Sequence, residues 1–117
     1  MRTKVKYGFL MVGCVFIIIS ACRKEKQEEV IDCSGVSPGF VSEVRPIINA
    51  HCLSSGCHNA GSTNGDYTSY DGLKAVATNG VLENRVVTNK TMPAAGPLSL
   101  EDRKKIKCWI NSGAPEN

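Results

Sequence analysis

The apolar positions of this chain change rhythm twice. Across residues 8–19 they run almost unbroken, and across 23–29 they give way to charged and polar residues. From Phe40 onward they recur every three or four places. Phe40, Val44, Ile47 and Ile48 predict a helix over about 42–52, with Ser42 as its cap and Pro46 confined to the first turn. Tyr70, Leu73, Val76 and Ala77 share one face of a helix over 68–79, which Gly80 is placed to stop. Leu82, Arg85 and Val86 predict a short helical turn. Leu100, Ile106, Trp109 and Ile110 form the stripe of a last helix, opened by Ser99 and Asp102 in a capping-box arrangement and closed by Gly113 and Pro115. Arg103, Lys104 and Lys107 are expected on its opposite side, either as a solvated face or as a docking patch for an acidic partner. Stretches 59–66 and 88–97 read as loops. No strand pattern and no internal repeat emerge, so the expected class is all-α, with three to four short helices.

The first 22 residues carry the marks of a processed leader. Arg2, Lys4 and Lys6 form a positive start, and the apolar run that follows is short of the ~20 residues that span a bilayer. It ends in Ile19-Ser20-Ala21-Cys22, which resembles the lipobox of bacterial lipoproteins. That resemblance implies cleavage before Cys22 and lipid on its sulfur and new amino terminus. The alternative is an uncleaved anchor helix. The expected organisation is therefore a signal peptide over 1–21, a flexible tether over 22–32 and one folded domain over 33–117.

Cleavage changes the charge balance. The whole chain has 14 basic and 11 acidic residues, and the leader takes three of the basic ones. What remains is near neutral, and nothing in it supports nucleic-acid binding. A domain of this size buries a modest core and often needs a covalent or cofactor staple. The chain has six cysteines. Cys14 lies in the leader, Cys22 takes lipid, and Cys52 and Cys57 stand beside a histidine. Cys33 and Cys108 remain, and an exported chain lives where disulfides persist, so these two are expected to bridge. The alternative is a pair of free buried thiols.

The chemistry concentrates in His51-Cys52-Leu53-Ser54-Ser55-Gly56-Cys57-His58. Covalent haem attachment uses two nearby thiols, each adding to one porphyrin vinyl, and an adjacent imidazole for the iron. The usual spacer has two residues and this one has four. Gly56 eases closure of the wider loop. His58 is the candidate proximal ligand. Met92 is the only methionine beyond the leader, and Pro93 after it stiffens the backbone. Its thioether is the candidate second axial ligand. His51 is tied to the same side as Cys52, which disfavours two histidine ligands. Rival readings are a zinc or copper site drawing on Cys52, Cys57, His58 and either His51 or Cys108, and a plain Cys52–Cys57 disulfide.

From Phe40 to Pro115 the chain resembles a small bacterial c-type cytochrome domain. The resemblance rests on Arg45-Pro46-Ile47-Ile48, Cys57-His58, Met92-Pro93 and Trp109-Ile110-Asn111-Ser112-Gly113-Ala114-Pro115. It implies a cytochrome c-like fold in which first and last helices cross and one covalent haem c is clasped. Cys52 and Cys57 would be the thioether sites, with His58 and Met92 the axial ligands. The implied function is one-electron transfer to unidentified redox partner proteins, without enzymatic activity. The place would be the bacterial cell envelope, lipid-anchored and facing the periplasm or cell exterior. Two other classes stay open. One is a haem sensor or peroxidase-like domain with an open iron position, and the other is a metal-free, disulfide-stapled lipoprotein acting as a binding module.

Overall fold

The computed structural model describes residues 29–117. The lipobox, Cys22 and most of the tether lie outside the described residues. There are three α-helices, α1 (Arg45–His51), α2 (Tyr70–Thr78) and α3 (Leu100–Asn111), with one wide helical turn, Phe40–Val44, before α1 and another, Glu83–Thr88, between α2 and α3. Among the described residues there is no strand, and no helix is long and apolar enough to cross a membrane. The expected all-helical class holds.

The first helical segment enters differently from the expectation. Its opening turn is wide, with the Val44 amide bonded to the Gly39 carbonyl at 3.2 Å and the Arg45 amide bonded to that of Phe40. Ser42 caps nothing. The helical run begins three residues before it, at Gly39, whose N–H donates to the Glu43 carboxylate at 3.0 Å. A carboxylate is the stronger acceptor for an unpaired amide at a helix start. Pro46 sits in the first turn of α1, where its missing N–H costs nothing.

Two other helices begin on serine. Ser69 Oγ accepts the Gly72 N–H at 3.1 Å and Ser99 Oγ accepts that of Asp102 at 3.1 Å. The Asp102 carboxylate accepts the Ser99 hydroxyl at 2.8 Å, so this cap is closed between side chains. Helix α3 ends in a Schellman arrangement: the Ala114 N–H reaches the Trp109 carbonyl at 2.9 Å and the Gly113 N–H that of Ile110 at 2.9 Å.

Phe40, Val44, Ile47, Ile48, Leu73, Ala77, Leu82, Val86, Leu98, Ile106, Trp109 and Ala114 form one core. Phe40 stacks on Trp109 at 5.6 Å and meets the edge of Tyr70 at 5.1 Å, which joins the start of the domain to α2 and α3. Trp109 Nε1 donates to the Pro115 carbonyl at 2.8 Å and the Tyr70 hydroxyl to that of Ala114 at 2.8 Å. Among the described residues every buried polar side-chain atom has a partner.

Helix α3 corrects the expected face pattern twice. Leu100 is exposed, and its place in the core is taken by Leu98 just before the helix. Arg103 is not on a solvent face but buried, with Nε donating to the Leu98 carbonyl at 3.1 Å and Nη1 paired with the Glu29 carboxylate. Lys107 pairs with Glu83. Two of the three cations of the expected docking patch thus serve internal contacts. A long cationic stem buries readily where an acceptor awaits its head.

Cys33 and Cys108 Sγ lie 2.07 Å apart, a disulfide closing a separation of 75 residues. Replacing both by serine should lower stability by about 4 kcal/mol in the chain-entropy picture. Urea unfolding of the oxidised protein beside the double variant checks this, and equal midpoints would refute it.

Arg103 first, and then Lys90, hold the Glu29 carboxyl down at about 2, against an ordinary 4.5. A depressed pKa stabilises the fold above the unfolded value and ceases to do so as pH falls through the folded one. The stability gap between the protein and E29Q should therefore be constant above about pH 4.5 and close toward about pH 2. Denaturant midpoints across that range measure it, and a gap independent of pH would count against the pairing.

Candidate functional site

Helix α1 delivers Cys52 to its C-cap, where the Cys52 amide donates to the Ile48 carbonyl at 2.9 Å. The chain then turns back on itself. The Cys57 N–H donates to the Ser54 carbonyl at 2.9 Å, and Gly56 takes φ +80°, a value costly for other residues. The His58 N–H closes the loop on the Cys52 carbonyl at 3.1 Å. The four-residue spacer is thus an ordered turn that brings His58 back beside Cys52. Both thiols are free and half-buried, so no Cys52–Cys57 disulfide forms here.

His58 is held from two directions. Its Nδ1 lies 3.2 Å from the Gly65 carbonyl. A carbonyl only accepts, so Nδ1 carries the proton and Nε2 of the neutral ring keeps its lone pair. The Tyr67 ring stacks on the imidazole at 4.1 Å, nearly parallel at 12°. The Tyr67 amide also donates to the His58 carbonyl at 3.0 Å. This second layer of contacts fixes ring plane and tautomer, as it does around ligating histidines. Asp66 braces the same loop by accepting from the Gly61 and Thr68 amides at 3.1 and 2.9 Å. The loop rests on α2, where a Cβ on Gly72 would come within 2.0 Å of the Asp66 carbonyl oxygen. Gly65 and Asp66 were legible in the sequence only as loop residues and Tyr67 drew no reading, because they act through backbone and stacking contacts that leave no spacing pattern.

Met92 lies in a separate loop, joined to Pro93 by a cis peptide. The Thr91 and Met92 amides both donate to the Arg85 carbonyl, at 2.8 and 3.1 Å. The Met92 side chain is 38% exposed, so it is not a core residue. His51 is exposed at the end of α1. The structure thus gathers Cys52, Cys57 and His58 into one loop and joins Cys33 to Cys108, while the hydrogen bonds of Met92 run to Arg85.

The donor set fits a covalently held haem. Two reduced thiols and a free Nε2 share one loop, which is anchored to the core through Cys52, Leu53 and Tyr67. The fit to zinc is poorer. Cys108 is engaged in the disulfide, and among the described residues no three His, Cys, Asp or Glu side chains are grouped to hold a metal ion.

Burial pushes the Cys52 thiol up to about 11, with the Cys57 charge adding to it. Burial and then the Cys52 charge raise the Tyr67 hydroxyl. Cys52 is therefore a neutral thiol near neutral pH, unlike the thiolate of a disulfide-exchange enzyme. In the haem-free full chain, alkylation at Cys52 should accelerate about tenfold per pH unit up to about pH 11. Peptide mass spectrometry resolves Cys52 from Cys57, and a plateau near the ordinary 9.0 would contradict this burial.

No known protein-family model matches the chain, and no curated protein or solved structure matches it either.

Proposed function

We propose that this chain is a lipid-anchored c-type cytochrome, which carries single electrons at the bacterial cell envelope. One observation carries the reading: His58 is locked with Nδ1 on the Gly65 carbonyl and Nε2 free, in the loop that also holds two unpaired thiols. Cys52 and Cys57 would hold the haem through thioether bonds, the thiol hydrogen passing to the vinyl carbon as sulfur adds. When bound, haem supplies a one-electron iron couple. His58 Nε2 would be the proximal ligand. The Met92 sulfur would be the distal one, a soft donor that favours the ferrous state.

Were His58 and Met92 both to hold the iron, no position would be left for a substrate, and the chain would act as a carrier rather than an enzyme. Its partners are redox proteins. The leader pattern and Cys22 support anchoring by lipid, with the domain facing the periplasm or cell exterior. The cytochrome c-like form of the helical fold belongs to the same proposal. The Phe40–Trp109 contact supports it by joining the segment that leads into α1 to α3.

The test is expression of the full chain with a cytochrome maturation system. A haem stain on a denaturing gel should mark the protein and be lost in the C52A/C57A double variant. The oxidised protein should show the weak methionine–iron absorption band, and M92A should lose it. An unstained wild-type chain overturns the reading. A stained chain without that band would instead support an open iron position.

A further inference from the structure

Two ion pairs and one buried cation surround the Met92 loop, and the electron-carrier reading does not account for them. Arg103 Nε donates to the Leu98 carbonyl at 3.1 Å. Its Nη1 pairs with Glu29 Oε2, and the same oxygen accepts Lys90 Nζ at 3.0 Å. Lys90 and Leu98 bracket Met92. Both ends of the loop therefore lead to one guanidinium, directly at Leu98 and through Glu29 at Lys90.

We infer that Arg103 and Glu29 are positioning residues for Met92, gripping both ends of the loop that presents its sulfur. The inference rests on the reading of Met92 as an iron ligand. Lys90 takes φ +55°, a left-handed conformation rare for a residue with a side chain. Something must hold it there. The Glu29 carboxylate holds its side chain, and the Arg85 carbonyl holds the two following amides. Arg103 is itself buried, in the same helix as Ile106 and Trp109. Glu29 is kept in reach by the Cys33–Cys108 bridge, which fastens the chain four residues downstream of it to α3. The grip thus draws on three separated segments, and the loop is ordered before any ligand arrives. A donor so placed loses little freedom on binding, which is what a weak, neutral thioether needs.

The experiment uses the full chain with E29Q, E29D and K90M. All three alter partly exposed side chains and leave the buried Arg103 in place. In haem-free protein, amide exchange at Thr91 and Met92 should rise by about tenfold in E29Q and K90M relative to α2, and return toward the parent rate in E29D. In haem-loaded protein, the methionine–iron band should weaken in E29Q and recover in E29D, with the haem stain unchanged. Unchanged exchange in E29Q overturns the grip. A full band in E29Q with faster exchange overturns its role in placing the sulfur. A parent chain that takes up no haem overturns the ligand reading and this positioning role together, and the exchange data show that outcome to be distinct from a failed grip.

Discussion

The fold depends on Trp109. Its ring is fully buried against Phe40, its Nε1 reaches forward to the Pro115 carbonyl, and its own carbonyl accepts from the Ala114 amide and the Ser112 hydroxyl. The side chain thus sets the packing of α3 and the path of the chain end, and the backbone carbonyl of the same residue closes the C-terminal turn. Tyr70 and Lys74 add to this from α2 by donating to the Ala114 carbonyl. The chain end is held back on the first helical segment, where the Val41 amide reaches the Asn117 carbonyl at 3.3 Å. In a domain this small, an aromatic cluster of Phe40, Tyr70 and Trp109 supplies a large share of the area that three short helices can bury.

The site is made by different means. Nothing about Cys52, Cys57 and His58 requires a large core. It requires a turn that closes. The extra spacer residues are accommodated because Gly56 accepts a left-handed backbone and because the loop is stitched to itself at Ser54 and Cys52. Order in 59–68 then follows from Asp66, which satisfies amides on either side of it, and from the stack of Tyr67 on His58. Polar and aromatic contacts over short sequence distances replace the long-range packing that holds the helices.

That contrast explains what could be read from the sequence. The core positions Phe40, Val44, Ile47, Ile48, Leu73 and Ala77 announce themselves by helical spacing, and all are buried. The cysteine pair at 33 and 108 was legible by elimination. Arg103 was not, because its charge points to solvent in any pattern-based reading, and only the Leu98 carbonyl and the distant Glu29 reverse that. Ser42 misled because the helical run opens earlier, at Gly39, and leaves Ser42 inside the turn it was expected to cap. The role of Gly65 is invisible in one dimension, since it acts through its carbonyl on His58 and through a φ of +103° that brings its backbone close under the Tyr67 ring. Periodicity reports burial, and it is silent about partners brought together by loops.

The Cys33–Cys108 bridge has a mechanical side as well. Tension entering along the chain from the N-terminal side of Glu29 meets α3 first, through an ion pair at Arg103 and a covalent link at Cys108. The load path then runs into the most deeply packed helix of the domain. The segment that carries Cys52 and His58 lies off that path. A pull at Glu29 would reach α3, and through Lys90 the Met92 loop, before it reached the loop of Cys52 and His58.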